Sequence, residues 1–90
     1  MPLPLPRSRL LPESLIQRKT IKAYEAQGWL VVKIIQTNRN GWPDLQCHKN
    51  GETVFIEVKK EGKTKLDPLQ LLRHEQLAKQ GFKVIIVNHV

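Results

Sequence analysis

An α/β domain, with a mixed four-stranded sheet and flanking helices in the order αβββαβ, is the fold class this sequence predicts. Three observations lead there. Two short strand-like runs flank Asn50-Gly51, the strongest short-range hairpin signal. Asp67-Pro68-Leu69-Gln70 offers an N-cap, a first-turn proline and a capping-box glutamine, which together open a helix. The apolar run from Lys83 to Asn88 follows that helix. A strand, helix, parallel strand connection is right-handed in nearly all cases, so this last strand is expected beside the second strand of the hairpin.

Taken in order, residues 1–11 (MPLPLPRSRLL) read as an extended proline-rich arm and residues 12–90 as one domain. Alternating proline forbids helix and favours a polyproline-like path. Arg7 and Arg9 are available to phosphate or to a second subunit, unless the arm is only a frayed terminus. Pro12 to Gln27 reads as the first helix, stopped by Gly28. At helical spacing Glu13, Gln17, Thr20 and Tyr24 share a face with Ile16 and Ala23, which places Glu13 on the core side. Arg18, Lys19 and Lys22 project elsewhere, while Leu15 and Ala26 leave apolar surface away from that face. Trp29 to Gln36 is β-branched and apolar on both sides, so a strand covered on both faces is expected. A polar loop from Thr37 to Trp42 carries Arg39, which suits a phosphate backbone or plain solvent. Trp42 either stacks on a base or packs over the sheet. The second helix is expected to bury Leu69, Leu72 and Leu77 and to stop at Gly81. The final strand, continuously apolar, is expected to be buried.

The hairpin carries the chemistry. With Asn50-Gly51 as the turn, positions whose numbers sum to 101 face each other, so Leu45 meets Ile56 and Asp44 meets Glu57. Period-two alternation gathers Leu45, Cys47, Val54, Ile56 and Val58 on a core face. Asp44, Gln46, His48, Thr53, Phe55, Glu57 and Lys59 fall on the other. Opposed side chains lie about 4.5–5.5 Å apart at Cβ, and like charges there repel. A divalent cation between Asp44 and Glu57 turns that repulsion into attraction. The competing reading is a solvated outer face, with Asp44 merely starting a strand.

Pro43-Asp44 followed by Glu57-Val58-Lys59 resembles the P-D…E-x-K signature of the PD-(D/E)XK nuclease superfamily. Gly41-x-Pro-Asp, the upstream Glu13-x-x-Ile-Gln17 and the helix-opening Gln70 are similar to the VRR-NUC (virus-type replication-repair nuclease) family over nearly the whole chain. The resemblance implies a restriction-endonuclease-like core and a Mg²⁺- or Mn²⁺-dependent DNA endonuclease of the kind used in repair and recombination. It implies that Asp44, Glu57 and the carbonyl of Val58 hold the metal and that Glu13 completes the acidic set. Lys59 would position or activate the attacking water, and Gln70 would orient water or phosphate. It further implies a homodimer resolving four-way junctions. The alternatives are a general nicking or flap nuclease, or a non-catalytic nucleic-acid-binding module of the same fold.

Fifteen Lys and Arg against eight Asp and Glu give a net charge of +7, which suits a polyanionic partner. Lys60, Lys63 and Lys65 follow the Glu57 strand directly, and with Arg18, Lys19, Lys22 and Arg39 they are the expected DNA contacts. No nucleotide cofactor is expected. The single Cys47 excludes a disulfide within the chain and suits a reducing, cytoplasmic setting. No apolar run reaches membrane-span length, and prolines break up the N-terminal apolar residues, so no signal peptide is expected. His48, His74 and His89 lack zinc-ligand spacing.

Overall fold

The computed structural model describes residues 11–89, so the readings made for Arg7, Arg9 and the rest of the arm up to Leu10 lie outside the described residues. The elements are α1 (Glu13–Ala26), β1 (Leu30–Lys33), β2 (Leu45–Lys49), β3 (Glu52–Val58), α2 (Pro68–Lys79) and β4 (Lys83–Val87). They form one four-stranded sheet in the order β1-β2-β3-β4. The β1–β2 and β2–β3 pairs are antiparallel and β3–β4 is parallel. This is the mixed αβββαβ sheet that the sequence predicts.

The core lies between α1 and one face of the central strands. Ile16 packs there against Leu45, Cys47, Val54, Ile56 and Val58, the face that alternation assigns to the interior. Thr20, one turn beyond Ile16, is buried too, and its hydroxyl donates to the Ile16 carbonyl at 2.7 Å. Ala23, expected on the same stripe, is exposed; it borders an open concavity beside Val87 and His89 that its methyl group is too small to fill. The helix ends where Gln27 takes over as C-cap, and Lys49 reaches from β2 to donate to the Gln27 carbonyl at 2.6 Å.

The opposite face is covered by α2. Asp67 caps this helix as its sequence predicts: one carboxylate oxygen accepts from Leu69 N and Gln70 N at 3.1 and 2.9 Å, and Gln70 Oε1 accepts from Asp67 N at 3.1 Å. Leu77 is buried, but Leu69 and Leu72 are exposed, contrary to the expectation that all three pack inward. The helix lies along the β3–β4 side of the sheet, so only one of its leucines reaches the interior. Above β3, Phe55 is clasped edge-to-face by Trp42 at 5.6 Å and by Phe82 at 5.5 Å, which makes Trp42 a packing residue.

Both outer strands differ from their expected burial. β1 is four residues long and largely exposed, with Leu30 66% and Val32 41% open to solvent; Ile35, just beyond it, is 81% open. β4 is half-buried, with Ile86 exposed. Each is an edge strand with one neighbour in the sheet, and each has one helix beside it, α1 by β1 and α2 by β4, so neither is covered on both faces. No helix among the described residues is long and apolar enough to cross a membrane.

Because the α2 cap satisfies two amide donors, replacing Asp67 by Ala is expected to lower stability by about 0.5–2 kcal/mol. Urea denaturation of the two proteins measures the difference.

Candidate active site

The hairpin turn fixes everything near the site. Asn50 and Gly51 both have positive φ, 51° and 80°, the conformation a two-residue type I′ turn requires. The register that follows is the expected one throughout: Lys49 opposite Glu52, His48 opposite Thr53, Cys47 opposite Val54, Gln46 opposite Phe55 and Leu45 opposite Ile56. One step further, Asp44 and Glu57 come together, near enough that the Asp44 carboxyl disfavours ionisation of Glu57.

Glu57 is only 2% exposed, which excludes the solvated-face reading at this end of the hairpin. Burial, first, and then the hydrogen bond and charge of Asp44 push its pKa up to about 9; Lys59 pulls the other way, and Glu13 adds to the rise. Its Oε1 lies 3.1 Å from His74 Nε2, and its Oε2 accepts from Gln70 Nε2 at 3.4 Å. Lys59 Nζ donates to Gln70 Oε1 at 2.6 Å. Asp44 is anchored from the far side, its Oδ2 accepting from Val58 N at 2.7 Å. For His74, burial and then the Lys59 charge lower the pKa, so the ring is neutral near pH 7.

Two tethers bring the remaining pieces in. Gly41, with φ +83°, runs so close to α2 that a Cβ there would stand 2.8 Å from the carbonyl carbon and oxygen of Leu69. Arg73 Nε donates to the Asn40 carbonyl at 2.8 Å beside it. The loop leading to Asp44 is thereby fastened to the helix that carries Gln70 and His74. On the other side, Glu61 Oε2 accepts from Leu11 N at 2.6 Å, tying the loop after β3 to the entry of α1.

A solved structure described as a VRR_NUC domain is similar to this chain with a TM-score of 0.77 and 40% identity, covering 84% of this chain and 83% of that one. The chain belongs to the VRR-NUC family. It is a nuclease-type domain. No protein-family model matches the chain, and no curated protein does.

Within this VRR-NUC domain, Asp44, Glu57, Lys59 and Gln70 are brought into one contact network. Glu13 is not on the core side, as expected from its helical phase. It is exposed in the first turn of α1. It lines a cleft of ≈ 850 Å³ together with Lys59, Lys60, Lys63, Lys65 and Gln70. Arg18, Lys19 and Lys22 are exposed on α1, and Arg39 borders a separate hollow beside Trp42. His74 was not among the expected site residues. Its signal was the four-residue spacing from Gln70, which puts both on one helix face.

Among the described residues no group of three His, Cys, Asp or Glu side chains is arranged to hold a metal ion by itself. Two adjoining carboxyls are too few for a closed four-ligand zinc site. They fit Mg²⁺ or Mn²⁺, since Mg²⁺ binds through one or two carboxylates and keeps several waters.

The raised Glu57 pKa predicts a pH effect on the metal-free protein. Between its ordinary 4.5 and about 9, the folded protein holds a proton that the unfolded chain has released. Stability from this group therefore falls as pH rises through that window. Melts in EDTA at pH 7 and pH 9, above the His74 titration, should show the loss in the unmodified protein. Glu57→Gln, which carries no charge, should lose less; equal losses would contradict the assignment.

Proposed function

We propose that this VRR-NUC domain is a Mg²⁺- or Mn²⁺-dependent endodeoxyribonuclease. The observation that supports it most is the buried Glu57 carboxyl set against Asp44, with Lys59 held beside them by Gln70. In this reading Asp44, Glu57 and the Val58 carbonyl hold the metal, and Glu13 approaches from the cleft mouth. When bound, the ion supplies Lewis acidity to the scissile phosphate and lowers the pKa of a coordinated water. Lys59 faces the charge that develops on the phosphate, and its ammonium is kept in place by Gln70 Oε1. Gln70 also orients the water or a phosphate oxygen. Lys60, Lys63 and Lys65 hold the backbone on either side of the cut, with Arg18, Lys19, Lys22 and Arg39 contacting DNA further out. Residues 12–90 serve as the nuclease unit and residues 1–11 as an accessory arm. The free, buried Cys47 suits a reducing intracellular setting.

We further propose a two-fold homodimer acting on branched DNA, four-way junctions above all. A small domain buries a limited fraction of its surface, and this one leaves Leu30, Val32, Ile35 and Leu71 exposed. These side chains, rather than Leu15 and Ala26 of α1, carry most of the apolar surplus; Leu15 is half-buried. A two-fold pair presents two sites to two strands, which suits a symmetric junction.

A cleavage panel of four-way, flapped and plain duplex DNA with Mg²⁺ or Mn²⁺ tests the reading. Paired, near-symmetric cuts in the junction and a dimer in sedimentation are expected. Asp44→Asn should abolish cleavage and leave DNA binding largely intact. A monomer that only nicks would leave a simple nicking nuclease, and a protein that cuts nothing would leave a binding module.

Salt dependence tests the contacts. Each neutralised phosphate contributes roughly −0.9 to the log–log slope of affinity against salt on duplex DNA. Replacing Lys63 and Lys65 by Gln together should flatten that slope by about one to two units. A slope unchanged in the double variant would remove both lysines from the interface.

A further inference from the structure

Glu57 is gripped at both oxygens by a single turn of α2. Gln70 reaches Oε2 at 3.4 Å and His74 reaches Oε1 at 3.1 Å, from positions i and i+4. The two grips differ. Gln70 also accepts from Lys59 Nζ at 2.6 Å and from Asp67 N at 3.1 Å, so it is shared among three partners. For Glu57, His74 is the shorter of the two contacts, and the ring itself is only 12% exposed. A carboxyl group turns readily about its last side-chain bond, where the torsion is broad. With Gln70 alone, the Oε1 side of the group would have no partner on α2.

We propose that His74 is a positioning residue for Glu57, holding its carboxyl group in the orientation in which it meets Asp44. The inference rests on the metal-site reading of those two carboxyls. Groups that fix the orientation of a metal-binding carboxylate contribute to affinity without touching the ion, and their loss typically weakens metal binding about 10- to 100-fold. His74 stands to Glu57 in that relation. Its partner is a carboxyl oxygen, and the helix cap at Asp67 sets the height from which both α2 side chains descend.

The test is Mn²⁺ binding to the full chain by calorimetry, without DNA. His74→Ala should weaken binding by about 10- to 100-fold, and His74→Gln, whose amide can also donate to Oε1, should recover most of the loss. Pulsed electron paramagnetic resonance of the bound Mn²⁺ should show no directly coordinated imidazole nitrogen. Unchanged affinity in His74→Ala, or a nitrogen coupling that makes the ring a ligand, overturns the proposal. So does a His74→Ala protein whose affinity falls only in step with a loss of fold in metal-free melts. If the unmodified protein binds no Mn²⁺, or Asp44→Asn binds it as tightly, the metal-site reading fails instead. The positioning contact is then judged by the ¹⁵N shift of His74 Nε2 in metal-free protein. A shift that moves in Glu57→Ala keeps the contact, and one that does not move removes it.

Discussion

A carboxyl group with almost no access to water sits at the end of the central strand, and the rest of the molecule is arranged around it. An ionised carboxylate left unpaired in such a place is strongly disfavoured. The fold meets this by keeping Glu57 protonated well above the usual carboxylate range and surrounding it with hydrogen-bond partners. Those partners come from α2, so α2 must start at the right height, and the capping box at Asp67 and Gln70 sets that height. Asp44 must arrive opposite, so the hairpin register admits no slip, because a shift of one residue would turn Asp44 to the α1 face. Gly41 then becomes obligatory, since any Cβ on the approach to Asp44 would collide with the α2 backbone.

This dependence explains which parts of the structure could be read from the chain. The hairpin was legible because Asn50-Gly51 fixes both the turn and, by counting outward, each cross-strand pair up to Asp44 and Glu57. The second helix was legible because its start is written in local chemistry at Asp67, Pro68 and Gln70. The ends of the first helix were legible to within a residue for similar reasons. Each of these signals acts over a few residues.

Burial was not legible in the same way. Trp29 to Gln36 reads as a strand covered on both faces, yet only Leu30–Lys33 pairs, at an edge, where Val31 packs against the core while Leu30 and Val32 stay open. The rule linking continuous apolar runs to buried strands presumes helices enough to cover both sides of a sheet. Here two helices serve four strands. Which strands they cover follows from where α2 must stand to reach Glu57, a demand that no local pattern in Leu30–Lys33 or Lys83–Val87 records. The same logic hid His74 and misplaced Glu13. His74 has no motif of its own and gains meaning only from the partner it meets across seventeen residues of chain. Glu13 shares the helical phase of the buried Ile16, but it stands in the first turn, where it is exposed and lines the cleft instead of the core.

The charge of the chain shows the same division between composition and placement. A net +7 says that a polyanion is attracted, but screening confines each charge to about 8–10 Å at physiological salt. Only cations near the cleft can therefore act on a phosphate beside Lys59. Lys60, Lys63 and Lys65 line that cleft, and their loop is not loose there. Glu61 is bonded to Leu11 on one side, Gly62 N donates to the Asn88 carbonyl, and Asn88 Nδ2 donates to the Lys63 carbonyl at 2.8 Å. The backbone that presents these lysines is thus fastened to the entry of α1 and to the exit of β4. Arg18, Lys19 and Lys22 have equal charge but stand on the outer side of α1, where they can act only on polyanion that extends beyond the cleft. Two sets of basic residues that composition counts alike are separated by the tethers of one loop, and it is those tethers that decide which set faces the carboxyl pair.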